Sequence, residues 1–163
     1  MPEAAALALC GVKRPTWTGW SEQGIVARPA DGAYDLHEVI RVALVSELRK
    51  VLGVDDMAAA WRGMTSDGVA DEVIRLATTV QEDDRLDLVV EPASGRVLLA
   101  TDDQELAQAV RHPTAPRAVI VISPAAELHR VVGGFANRAL SADRPSVRRR
   151  GRPRGTPRSA EAG

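Results

Sequence analysis

The hydrophobic period of this chain changes partway along, and that change sets the fold class. Through Val80 the apolar residues recur at helical spacing. Leu36, Val39, Ile40, Ala43, Leu44, Leu48 and Val51 form one stripe, and Val69, Val73, Ile74, Leu76, Ala77 and Val80 form another. After the acidic break Glu82-Asp83-Asp84, the period shortens. Leu86-Asp87-Leu88-Val89-Val90 and Arg96-Val97-Leu98-Leu99-Ala100 are β-rich runs joined by Glu91-Pro92-Ala93-Ser94-Gly95, a hairpin loop. Asp102 begins a helix through Leu106, Ala109 and Val110, and Pro113 and Pro116 force a loop. Ala118-Val119-Ile120-Val121-Ile122 reads as a fully buried strand, and Pro124 opens a last helix over 125–140. The order α-β-β-α-β-α predicts a small α/β (α+β) domain over 65–140, with a three-stranded sheet covered by helices. Gly133-Gly134 in its last helix marks either a close helix contact or a break.

The segment before it has a different character. Residues 4–9 are a short apolar helix, Cys10-Gly11-Val12 a sharp turn, and 13–23 a second helix stopped by Gly24, which together spell a helix-turn-helix. Ile25-Val26-Ala27-Arg28 reads as a strand that runs into a Pro29-Ala30-Asp31-Gly32 turn and returns through Ala33-Tyr34, a small β-wing. Asp35 caps the helix over 36–52, which ends at Gly53. A further helix over 54–64 places Met57, Ala60, Trp61 and Met64 on one side. Trp17 and Trp20 share a helical face and are expected in the core, as is Trp61. Lys13 and Arg14 at the second helix's start, and Arg28 in the wing, sit where such a unit meets phosphate. Thr16 and Thr18 project elsewhere, within reach of base edges or phosphate.

This order resembles the winged helix-turn-helix of the MerR family of regulators. Their pattern is an apolar helix, Gly-Val-Ser, a Thr-Leu-Arg-Tyr-Tyr helix, then Gly-Leu-Leu and a Gly-Tyr-Arg-Leu-Tyr wing. Gly11-Val12 matches the turn, Thr16 and Trp20 fall on the Thr and the second Tyr, and Gly24-Ile25-Val26 matches the helix end and first wing strand. Tyr34 falls on the wing's last Tyr. The resemblance implies a DNA-binding domain over 1–64 that works as a homodimer on two half-sites. The chain departs from the pattern at Gly19, which replaces an aromatic and either admits a close backbone approach or only weakens the helix. It also lacks the long C-terminal helix with which the family pairs, so neither effector sensing nor spacer twisting is carried over.

The far end, 141–163, is expected to be a disordered Arg-rich tail, since nothing in it can bury apolar surface. Its centre, Arg150-Gly151-Arg152-Pro153, looks like the AT-hook, in which Gly lies on the minor-groove floor, Pro fixes an extended direction and Arg runs along an A·T-rich groove. Arg150 and Arg152 would insert, with Arg148, Arg149, Arg154 and Arg158 on phosphates. The plainer alternative is a solvated basic tail, or one that folds back on acidic runs such as Glu82-Asp83-Asp84. Seven arginines against Asp143 and Glu161 give this segment a net charge of about +5, which leaves about −6 for the body of a chain at −1. DNA contact is therefore expected at the N-terminal unit and the tail alone.

Cys10 is the lone cysteine, so neither a disulfide framework nor a thiolate metal cluster is available, which fits a reducing cytoplasm. No apolar run approaches the roughly 20 residues that span a bilayer, and the start lacks the basic region of a secretory signal, so a soluble, cytoplasmic, nucleoid-associated protein is expected. His37, His112 and His129 are scattered, and no catalytic or metal-ligand spacing stands out. The expectation is a non-enzyme without cofactor or metal. Three functions fit: a transcriptional regulator, most simply a repressor; an antitoxin-type protein that binds its own operator and, through 65–140, a partner protein; or an excisionase-like or nucleoid-associated architectural factor.

Overall fold

The computed structural model describes residues 1–79, 81, 83–111 and 119–142, the last two by backbone alone. In chain order the elements are α1 (Glu3–Leu9), α2 (Arg14–Glu22), α3 (Leu36–Val51), α4 (Val54–Ser66), α5 (Val69–Ala77), β1 (Asp87–Glu91), β2 (Arg96–Ala100), α6 (Asp103–Val110), β3 (Ile120–Ile122) and α7 (Ala125–Ala142). The fold is mixed α/β, with seven helices and one small antiparallel sheet among the described residues.

At the centre stands α3, because its apolar stripe is wide enough to meet neighbours on several sides: Val39, Ile40, Val42, Ala43, Leu44, Val45 and Leu48 are all buried. The Asp35 carboxylate caps it, Oδ1 accepting from the Glu38 N–H at 2.8 Å, and Arg49 and Lys50 occupy its last turn, where cations suit the helix dipole. Gly53 does not end this helix by a left-handed turn. Its φ is −60°, and it serves as the N-cap of α4, its carbonyl accepting from the Met57 N–H at 2.9 Å. Helices α1, α4, α5 and α7 all pack on α3.

The sheet has the order β2-β1-β3, antiparallel throughout, with Val89 opposite Leu98 on one side and Val121 on the other. Leu88, Val90, Val97 and Ile122 face the main core, and α6 packs on β1 and β2. The hairpin closes where expected, the Gly95 N–H donating to the Glu91 carbonyl at 2.9 Å with Gly95 at φ +69°. Here α4 comes very close. A Cβ on Gly63 would lie 2.2 Å from the Gly95 carbonyl oxygen, so the helix can rest on the turn only because residue 63 has no side chain.

Two expectations need correction. The run 118–122 is not a fully buried strand: β3 is a three-residue edge strand whose Val121 is exposed, because a sheet covered on its second face by one short helix leaves the outer strand open. The second is the wing. Ile25, Val26, Ala27 and Arg28 form no strand, and the return arm does not pair with them. Ala33 instead bridges Pro2, the Tyr34 N–H donates to the Met1 carbonyl at 2.8 Å, and the Met1 nitrogen donates to the Tyr34 carbonyl at 2.6 Å. With those groups taken, and with Pro29 lacking an N–H just after Arg28, a hairpin ladder has nothing to close on. The turn between the arms does form, the Gly32 N–H meeting the Pro29 carbonyl at 3.0 Å.

The buried side chains make one cluster that runs from Ala6 to Val131 and includes residues on both sides of position 64. Val80, Glu82, His112, Pro113, Pro116 and Ala118 lie outside the described residues. Among the described residues no helix is long and apolar enough to cross a membrane.

Candidate nucleic-acid interface

The α1-turn-α2 unit is held by its inward face. Gly11 supplies the positive φ, +66°, that the turn requires, and α2 starts at Arg14 with Lys13 as N-cap and Pro15 in its first turn. Trp17 and Trp20 point inward, both buried, their rings 6.2 Å apart at 74°, an edge-to-face pair. Trp17 also meets Tyr34 edge-on, and its indole N–H donates to the Tyr34 hydroxyl at 2.9 Å. Burial pushes the Tyr34 phenol above its ordinary pKa, against the indole N–H it accepts, and the Glu3 carboxylate adds to the rise. The tryptophan pair is thus core, as its spacing indicates.

With that face inward, the expected contact residues divide into two groups on opposite flanks of α2. Arg14, Thr18 and Arg28 gather around Glu3. Arg14 Nε is 3.4 Å from Glu3 Oε1, Arg28 Nε is 3.9 Å from Oε2, and Arg28 Nη2 donates to Thr18 Oγ1 at 2.8 Å. Arg28 therefore reaches α2 without a wing strand, held by a half-buried carboxylate that takes part of the positive charge. On the other flank Lys13 and Thr16 line a shallow cleft of about 310 Å³ with Ser46, Arg49 and Lys50 of α3. Arg49 donates to the Leu52 carbonyl at 2.8 Å, which ends α3, and Lys50 pairs with Glu47. The outermost positions of α2, opposite the tryptophans, are Pro15, Gly19 and Glu22, without a cation among them. A Cβ on Gly19 would meet open space, so no packing inside the chain requires a glycine there.

The second arrangement concerns the end of α7, which returns to α1. Arg130 Nη2 donates to the Leu9 carbonyl at 2.7 Å, Arg138 Nη1 donates to the Ala5 carbonyl at 2.6 Å, and Gly134 lies against Leu9, where a Cβ would sit 2.5 Å from Cδ1. Gly134 marks a close helix contact, Gly133 does not, and α7 runs through the pair without a break. Two α1 carbonyls, Ala5 in the body of the helix and Leu9 at its end, thus accept from guanidinium groups of α7. Cys10 lies beside this joint. Burial pushes its thiol from 9.0 up to about 12, Glu127 adding to the rise and Arg130 and Arg138 opposing it, and its sulfur donates to the Val39 carbonyl at 3.4 Å.

Glu3, Ser46, Arg49, Lys50, Arg130 and Arg138 were not singled out by the sequence. Arg49 and Lys50 are readable as a basic last turn, but their approach to Lys13 depends on how α2 crosses α3. The tail positions Arg148, Arg149, Arg150, Gly151, Arg152, Pro153, Arg154 and Arg158 lie outside the described residues. No protein-family model matches this chain, and neither a curated protein nor a solved structure does.

Proposed function

We propose that this chain is a duplex-DNA-binding transcriptional regulator, most simply a repressor, built on a MerR-like helix-turn-helix with an Arg-rich tail as a second contact. The observation that carries the proposal is the joint between α7 and α1. Arg138, four residues before α7 ends, is bonded to Ala5, so α7 ends about one helical turn beyond a contact with α1, and the strongly basic sequence follows that end along the chain. Cations on both flanks of α2, Arg14 and Arg28 on one side and Lys13, Arg49 and Lys50 on the other, would meet the two phosphate backbones bordering that groove. Thr16 and Thr18 are the base-edge candidates, and Arg150 and Arg152 the minor-groove pair. Two half-sites need two copies, so the proposal includes a homodimer.

One feature favours a second reading, an architectural DNA-binding factor. The outermost face of α2 is Pro15, Gly19 and Glu22, which offers no side-chain donor to a base edge and leaves duplex contact to the cations on the flanks. Selection of bound fragments from genomic DNA, with the full chain and with residues 143–163 removed, separates the two. The regulator reading expects one repeated half-site, with Thr16→Ala altering the preferred bases and Arg49→Ala weakening all sequences alike. Enrichment without any motif supports the architectural factor, and an absence of enrichment overturns both.

A further inference from the structure

One carboxylate faces two arginines from different segments of the chain. Glu3, in the first turn of α1, has Arg14 Nε at 3.4 Å and Arg28 Nε at 3.9 Å, and the Tyr34 hydroxyl lies 3.5 Å from its Oε2. Both arginine contacts are longer than a good hydrogen bond, so the pairs are held by charge and exchange easily. The carboxylate is the fixed partner, its side chain 22 % exposed against 79 % for Arg14 and 41 % for Arg28. Arg14 also opens α2, where the helix dipole disfavours a cation, and neither an acidic first-turn residue nor a side-chain cap offsets it. Helix stability does not account for an arginine there, whereas an anion seated beside it does. Thr18 Oγ1, one turn along α2, accepts from Arg28 Nη2 at 2.8 Å and so keeps its own proton for a further acceptor. We propose that Arg14, Thr18 and Arg28 make one phosphate site, and that Glu3 is an internal stand-in for the phosphate, which a duplex backbone displaces from the two arginines. The exchange has a sign. Two guanidinium groups and one carboxylate sum to a single net positive charge, so Glu3 weakens phosphate binding and lowers the number of counterions the duplex gives up. A carboxylate that only positioned the arginines would act the opposite way, its loss weakening the contact.

The inference rests on the duplex-binding reading for the source of its phosphate, and two arms keep the two separable. In the first, inorganic phosphate is titrated into the full chain and into Glu3→Gln while the Nε–H resonances of Arg14 and Arg28 are followed. Glu3→Gln should show a saturable shift of both, about fivefold tighter than the unaltered chain, the upper size of an exposed ion pair. In the second arm, duplex affinity is measured across a salt series for the same two chains and for both in an Arg14→Ala/Arg28→Ala background. Glu3→Gln should bind duplex about fivefold tighter, with a log–log salt slope steeper by about 0.9, and the gain should vanish in the double-alanine background. Glutamine keeps the shape of Glu3, so an unchanged melting temperature certifies the fold of the variant. An equal gain in the double-alanine background would be the general effect of one negative charge fewer, and it overturns the proposal. Weaker duplex binding by Glu3→Gln, or no saturable phosphate shift in that variant, overturns it as well. Phosphate shifts without any duplex affinity leave the site standing and overturn the duplex reading instead.

Discussion

Single residues carry several of the conditions on this fold. Tyr34 joins three parts of the N-terminal unit, since it accepts from the Trp17 indole, approaches Glu3 at 3.5 Å and exchanges backbone hydrogen bonds with Met1. Tyr34→Phe leaves the indole N–H buried without its acceptor and is expected to destabilise the protein by about 1–3 kcal/mol in urea unfolding. Gly19→Ala works the other way. With open space at the added Cβ, stability should rise by up to about 1 kcal/mol, and a simultaneous fall in duplex affinity would mark residue 19 as a point of close backbone approach. Cys10 gives the fold an alkaline limit. Its folded pKa, about 12, lies above the ordinary 9.0, so its contribution is complete below pH 9 and is lost as the unfolded thiol ionises and pH climbs toward 12. Stability should fall by up to about 1.4 kcal/mol per pH unit in that window, and Cys10→Ala should flatten the fall.

At the scale of elements, the reliable signals were local ones. Asp35 and Asp102 both cap the helices expected of them, each accepting from an N–H three residues on at 2.8 Å, and the hairpin turns at Gly95 because only a left-handed residue closes it. The wing failed for a non-local reason. Ile25-Val26-Ala27-Arg28 has the composition of a strand, but a strand needs a partner, and the arm that should pair with it pairs with Met1 and Pro2. The burial of β3 was misjudged in the same way, since a run of Val and Ile does not reveal whether it lies at the centre or the edge of a sheet. Gly63 shows how helix preference yields to packing. Gly63→Ala favours the helix locally, yet its Cβ would meet the Gly95 carbonyl oxygen, so a net loss of about 1–3 kcal/mol is expected in thermal or urea unfolding.

Over the whole molecule, the decisive contact was the least legible one. Arg130 and Leu9 are separated by 121 positions, and Arg138 and Ala5 by 133, and neither arginine belongs to a motif. The flanks of α2 were likewise invisible before the fold was known, because Arg49 and Lys50 belong to another helix. What composition did reveal was the separation of charge between an acidic body and a basic end, and the α7–α1 joint gives that separation a direction. The most direct measurement is duplex affinity across a series of salt concentrations, for the full chain and for a chain lacking residues 143–163, the basic sequence that follows α7. The account predicts binding by both at low ionic strength, with a log–log salt slope steeper by about 4–5 for the full chain, as roughly five phosphates release their counterions to the tail. Equal slopes, or no affinity of the full chain for duplex at low salt, would contradict it.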